Sequence, residues 1–97
     1  MDLQIKVIEI KGTCPVYEVG DKFTLKDGYK LVSDIPVCMH AISSLLPYYN
    51  ALRISEPEEW GLNSKNKKDK AYIQCPDAQE YTEGGTAIFE INRQSKK

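Results

Sequence analysis

The sequence predicts an α+β domain in which a small curled antiparallel sheet packs on one kinked helical segment. Three observations predict it. Short runs of alternating apolar residues recur along the chain with Gly, Asp and Pro between them, as half-buried strands require. One central stretch, Val37 to Leu52, carries helical spacing instead. Finally, 97 residues leave room for a single hydrophobic core, so residues 1–97 are read as a single domain.

Leu3-Gln4-Ile5-Lys6-Val7-Ile8-Glu9-Ile10 opens with strict alternation in β-branched company, which places Leu3, Ile5 and Val7 on the core face of a strand. Gly12 and Cys14-Pro15 break that pattern, and Gly20-Asp21 marks a further turn. Between Lys22–Lys26 and Tyr29–Val32 stands Asp27-Gly28, a hairpin signal, because a tight type I′ turn needs positive φ at both central residues. Asp34-Ile35-Pro36 reads as a helix start, with Asp34 as cap and Pro36 in the first turn.

Cys38, Ile42, Leu45, Tyr49 and Leu52 then follow at steps of four and three and define the buried face of that helix. Pro47 removes an amide donor within it and predicts a kink or two consecutive short helices, with Ser43 or Ser44 capping the second. Residues 55–70 lose all periodicity and read as a surface loop carrying Trp60 and a lysine-rich run. Ala71, Ile73 and Cys75 are the inward positions of a strand that stops at Pro76, and Gly84-Gly85 opens a last one with Ala87, Phe89 and Ile91 inward. Residues 94–97 read as a frayed tail.

Thirteen basic and fourteen acidic residues leave a net charge of −1, which supplies no general attraction to nucleic acid or to an anionic membrane. Lys65, Lys67, Lys68 and Lys70 could touch a phosphate backbone, with Trp60, Tyr48 or Tyr49 stacking on bases. A charge run in a polar loop is ordinarily solvated, so nucleic acid is not an expected partner. The start of the sequence carries neither the basic region nor the apolar stretch of a secretory signal, and no apolar run is long enough to span a bilayer. A cytoplasmic protein is expected.

Chemistry concentrates in three cysteines, Cys14, Cys38 and Cys75. An odd number without an export signal argues for free thiols over a disulfide framework, and the wide spacing lacks the close Cys pair of a zinc finger. Cys38, placed in the first turn of the helix, would have unpaired amides and the helix dipole to stabilise a thiolate, although an apolar face favours an inert core thiol. Cys14 and Cys75 each precede a proline at a chain corner, where sulfurs can gather at one end of a sheet. Together the three could hold zinc with a fourth ligand, or an iron-sulfur cluster. Asp77 and His40 are the candidate fourth ligands, each with a plainer reading: an aspartate after proline is ordinarily a turn former, and His40 lies about 200° around the helix from Cys38. A single histidine excludes a serine-histidine-acid triad from consideration, and Gly84-Gly85-Thr86 lacks the following helix of a phosphate loop.

Gly12-Thr13-Cys14 followed by Val19-Gly20-Asp21-Lys22-Phe23, then Ile35-Pro36-Val37-Cys38, then Cys75-Pro76-Asp77, form an ordered set of motifs. In these the chain resembles a family of small prokaryotic proteins of unknown function. The resemblance covers nearly the whole sequence and implies a shared fold and that Cys14, Cys38 and Cys75 belong together. It supplies no activity, and the lysine-rich stretch before Cys75 departs from the pattern.

Two functions are therefore expected in competition. One is a small metal-binding or thiol-dependent accessory domain, whether or not it turns over a substrate, using the three cysteines. The other is a protein-interaction module without bound metal, built on exposed strand edges and the Trp60 loop, with structural cysteines and a protein partner.

Overall fold

In the computed structural model, which describes residues 2–64, 66–67 and 69–94, the alternation near the start of the chain forms β1 (Asp2–Gly12), the middle strand of a five-stranded sheet. Then come β2 (Lys22–Lys26), β3 (Lys30–Val32), the helices α1 (Met39–Leu45) and α2 (Tyr49–Ile54), a 3-10 turn (Pro57–Trp60), β4 (Lys70–Gln74), a helical turn α3 (Gln79–Thr82) and β5 (Gly85–Gln94). The spatial order is β3-β2-β1-β5-β4 and every neighbouring pair is antiparallel. The α+β architecture, a curled antiparallel sheet against a broken helical segment, is as the periodicities predict.

Leu3, Ile5 and Val7 are fully buried and face α2, and the inward positions of β4 and β5 join them. The register shifts between Val7 and Glu9, because Val7 pairs with Phe89 while Glu9 pairs with Ile88. Ile8 is thus the extra residue of a β-bulge. The bulge returns Ile10, opposite Ala87, to the core side, which simple alternation from Leu3 would deny it. On the other edge of β1, Val7 exchanges backbone hydrogen bonds with Asp21 (2.8 Å) and Gly20 (2.8 Å), so the Gly-Asp turn is sewn to the strand.

Asp27 and Gly28 both take positive φ (58° and 83°), and the Tyr29 N–H donates to the Lys26 carbonyl (3.3 Å), giving the predicted hairpin turn. Pairing resumes with Lys26 opposite Lys30, so Tyr29 is one residue more than the tightest hairpin uses.

The helix starts later than predicted. Ser33 Oγ accepts the Ile35 N–H (3.1 Å) and donates to the Ile35 carbonyl (2.8 Å), which holds this stretch outside the helix. Ile35 also precedes Pro36, which disfavours helical ψ. The N-cap is Cys38, in extended conformation, and Asp34 caps nothing. Pro47 does divide the segment into two short helices, but neither Ser43 nor Ser44 caps the second. Its N-cap is Tyr48, and Ser43 Oγ instead donates to the His40 carbonyl (2.6 Å). Leu45 and Leu52 from the predicted face are buried, with Ile42 and Tyr49 packed at its margin.

Residues 55–70 hold more structure than the sequence suggests. Glu56 and Glu59 form a reciprocal capping box on the 3-10 turn, and Trp60 Nε1 donates to Ser55 Oγ (2.8 Å). The Tyr72 N–H donates to the Leu62 carbonyl (2.9 Å) and Asn63 bridges to Ala71, so this loop covers the outer edge of β4. Lys65 and Lys68 lie outside the described residues, as do residues 95–97 of the predicted tail, whereas Gln94 belongs to β5.

The sheet face away from the helices is polar, with one buried carboxylate, Glu90. The Tyr72 hydroxyl donates to it (2.9 Å), and the Lys70 (3.3 Å) and Lys67 (3.8 Å) ammonium groups flank it. Burial pushes its carboxyl group up, but hydrogen bonds from Tyr72, Lys70 and Asn92 outweigh that and hold it below the ordinary carboxylate value. A depressed folded value means that the carboxylate adds stability above about pH 4.3, the ordinary value, and loses it as pH falls through the folded one. The stability difference between the wild type and Glu90→Gln is therefore expected to shrink from about pH 6 to about pH 3 in urea titrations. A difference that stays constant or grows towards low pH contradicts this assignment.

Candidate functional site

Cys14 leaves the end of β1 through Gly12, whose φ of +76° needs a residue without Cβ. The next residue, Thr13, donates its N–H to the Gly84 carbonyl (3.2 Å). The Gly84-Gly85 corner and the Thr13-Cys14 backbone pass so closely that a Cβ on Gly85 would overlap the Thr13 carbonyl and lie 2.6 Å from the Cys14 nitrogen. Cys14 Sγ accepts the N–H of Tyr17 at 3.3 Å.

That bond turns Tyr17 inward. Its ring stacks on Phe23 (centroids 6.3 Å apart) and meets the edge of Phe89 (5.6 Å), at the heart of the core. Its hydroxyl oxygen accepts the backbone N–H of Cys38 at 2.9 Å, which pins the residue that begins α1. Cys75 continues from β4, buried, with its N–H on the Ala87 carbonyl (2.9 Å). Cys14, Cys38 and Cys75 are all free thiols, the first two half-buried.

The phenol of Tyr17 lies within electrostatic reach of all three. Burial raises its pKa, the Cys38 N–H lowers it, and the Cys38, Cys14 and Cys75 thiols, as thiolates, raise it further, for a net upward shift. Tyr17 thus joins two of the three cysteine segments directly, through Cys14 Sγ and the Cys38 N–H. The three sulfurs do not form a ready metal site: among the described residues, no three His, Cys, Asp or Glu side chains are arranged to hold a metal ion.

The two candidate fourth ligands stand differently. His40 is exposed on α1. The Asp77 carboxylate bonds the Thr82 hydroxyl, and its carbonyl takes the Thr86 hydroxyl, so Asp77 organises the corner that holds α3 before β5. Tyr17 is the residue that reading the sequence missed. Its only local signal is its place three residues after Cys14, on a segment with no periodicity to mark it as core.

Fold and site together define a small α+β domain with three free cysteines, two of them hydrogen-bonded to a core tyrosine. No protein-family model matches the chain, no curated protein matches it, and no solved structure matches its fold. Among the described residues, no helix is long and apolar enough to cross a membrane.

Proposed function

We propose that the chain is a small cytoplasmic accessory domain in which Cys14, Cys38 and Cys75 act as one thiol centre for a thiophilic metal ion. The observation that carries this reading is Tyr17, whose N–H donates to Cys14 Sγ (3.3 Å) and whose hydroxyl takes the Cys38 N–H (2.9 Å), with Cys75 within electrostatic range of the same phenol. The resemblance of its three cysteine motifs to those of small prokaryotic proteins supports the same grouping.

Thiolates are the ligands of choice for zinc and for iron-sulfur clusters, and three of them leave one position open. Binding would turn the sulfurs toward a common centre beside Tyr17, since they do not stand ready around one. It would also release protons, so affinity rises with pH.

The test is metal analysis and absorption spectroscopy on protein purified without oxygen, followed by zinc titration with thiol alkylation as the readout. Bound metal is expected to protect all three cysteines together, and serine at any one of them is expected to weaken binding by roughly tenfold or more. No bound metal, no zinc uptake, and three thiols that alkylate independently would leave the cysteines as core filler.

A further inference from the structure

The two edges of the sheet are finished differently. The outer edge of β4 is covered by the loop around Leu62 and Asn63. The outer edge of β3 has no backbone partner among the described residues, because its only neighbour in the sheet is β2.

The core face is also left open on that side. Leu3, Leu25 and Leu31 stand in one cross-strand row, fully buried at β1, half-buried at β2 and 46% exposed at β3. α1 and α2 make their main sheet contacts with β4 and β1, and on the hairpin side the Arg53 side chain of α2 reaches the turn at Gly28. Between the helices and the hairpin runs a groove of about 230 Å³, with Leu25, Leu31, Ile42 and Tyr49 along it and Met39 and Leu46 on its helical wall. Met39 is 75% exposed and Leu46 59%, and Tyr29, also on the groove, is 78% exposed. Among the described residues the one charged side chain on the groove, Lys30, is paired within its own chain to Asp27 (3.2 Å).

We propose that this edge and groove are the interface of a homodimer, in which the β3 strands of two copies pair antiparallel about Leu31. A second copy fits this surface in three respects. The pairing is self-complementary in charge, since it sets Lys30 against the partner's Val32 and brings no like charges directly opposite. A two-fold axis through the strand pair keeps both helical layers on one side of the joined sheet, so the two open grooves meet and Met39 and Leu46 close over the partner's Leu31. The exposed parts of Tyr29, Leu31, Met39 and Leu46 come to on the order of 500 Å². With the strand backbone added, this approaches the ~800 Å² per partner of a stable complex. A net charge of −1 offers little repulsion to oppose it. This inference is independent of the thiol centre.

Sedimentation equilibrium on the full chain, from about 5 μM to about 500 μM, tests it. The mass is expected to rise with concentration from 11.0 kDa toward twice that value. Leu31→Arg and Met39→Glu are each expected to weaken association by roughly tenfold or more, with the circular dichroism spectrum unchanged. Tyr81→Ser, which removes an exposed ring outside the groove, is expected to leave it intact. If Leu31→Arg perturbs the hairpin, Met39→Glu on α1 still reads the same surface. A single 11.0 kDa species across the whole range overturns the proposal, and so does a dimer that neither groove substitution weakens.

Discussion

Phe89→Ala is expected to cost about 3–5 kcal/mol of unfolding free energy, the range for deleting a buried aromatic side chain. Phe89 is fully buried on β5, opposite Val7 at the start of the bulge. Its ring meets Tyr17 edge-on at 5.6 Å and Phe23 at 6.5 Å, so one truncation removes transfer energy and two aromatic contacts together. The backbone on both sides is locked in the β1–β5 ladder, so the cavity has little freedom to collapse. For a domain whose whole stability is on the order of 5–15 kcal/mol, the variant is left barely folded. Urea unfolding followed by circular dichroism measures the loss. A cost under about 1 kcal/mol would mean that the aromatic cluster is not the mechanical centre of the fold.

Gly85→Ala is the second large effect, and its cause is the opposite one. Nothing is removed; a methyl group is driven into the backbone of Thr13 and Cys14, where no flexible side chain can give way. Overpacking of this kind costs typically 1–3 kcal/mol, and a backbone obstacle places the expectation at about 3 kcal/mol. The corner that shifts is the one carrying Cys14, whose sulfur accepts the N–H that turns Tyr17 inward. Faster alkylation of Cys14 should therefore accompany the loss of stability. Stability and thiol reactivity both at wild-type levels would show that the two corners do not bear on each other.

Phe89 and Gly85 also mark the boundary of what the sequence makes legible. The period-two pattern of Ala87, Phe89 and Ile91 identifies an inward face without reference to anything else, because alternation is a property of the strand itself. The same holds for Leu3, Ile5 and Val7, for the positive-φ pair Asp27-Gly28 and for the break at Pro47. What escapes is decided at a distance. The start of α1 depends on a hydroxyl twenty-one residues earlier accepting the Cys38 N–H, and on Ser33 holding Ile35 in a turn. The spacing of apolar residues carries neither. Ile8 becomes a bulge only because β5 has one residue fewer to offer opposite it.

The site divides along the same line. Three cysteines at chain corners are visible as residues, but where the fold sets each of them depends on the strand order, which puts β5 between β1 and β4. Tyr17, hydrogen-bonded to Cys14 and to the Cys38 N–H, is a tyrosine in an aperiodic loop until Phe23 and Phe89 enclose it. His40 and Asp77 look equivalent as donors in the sequence. They separate only when one proves exposed and the other proves occupied with Thr82.

Strand order also governs when the molecule can come into being on the ribosome. β1 is made first and β5 last, yet they are partners along nearly their whole length, from Asp2 with Gln94 to Gly12 with Gly85. The nascent chain can close its hairpin and coil its helices early, since those contacts are local. β4, however, emerges with no strand to dock on, because its only sheet neighbour is still inside the exit tunnel. Until β5 emerges, one edge of β1 stands unpaired and the core lacks Phe89 and its neighbours, and synthesis itself holds this small domain in a sticky, half-zipped state that chaperones would recognise.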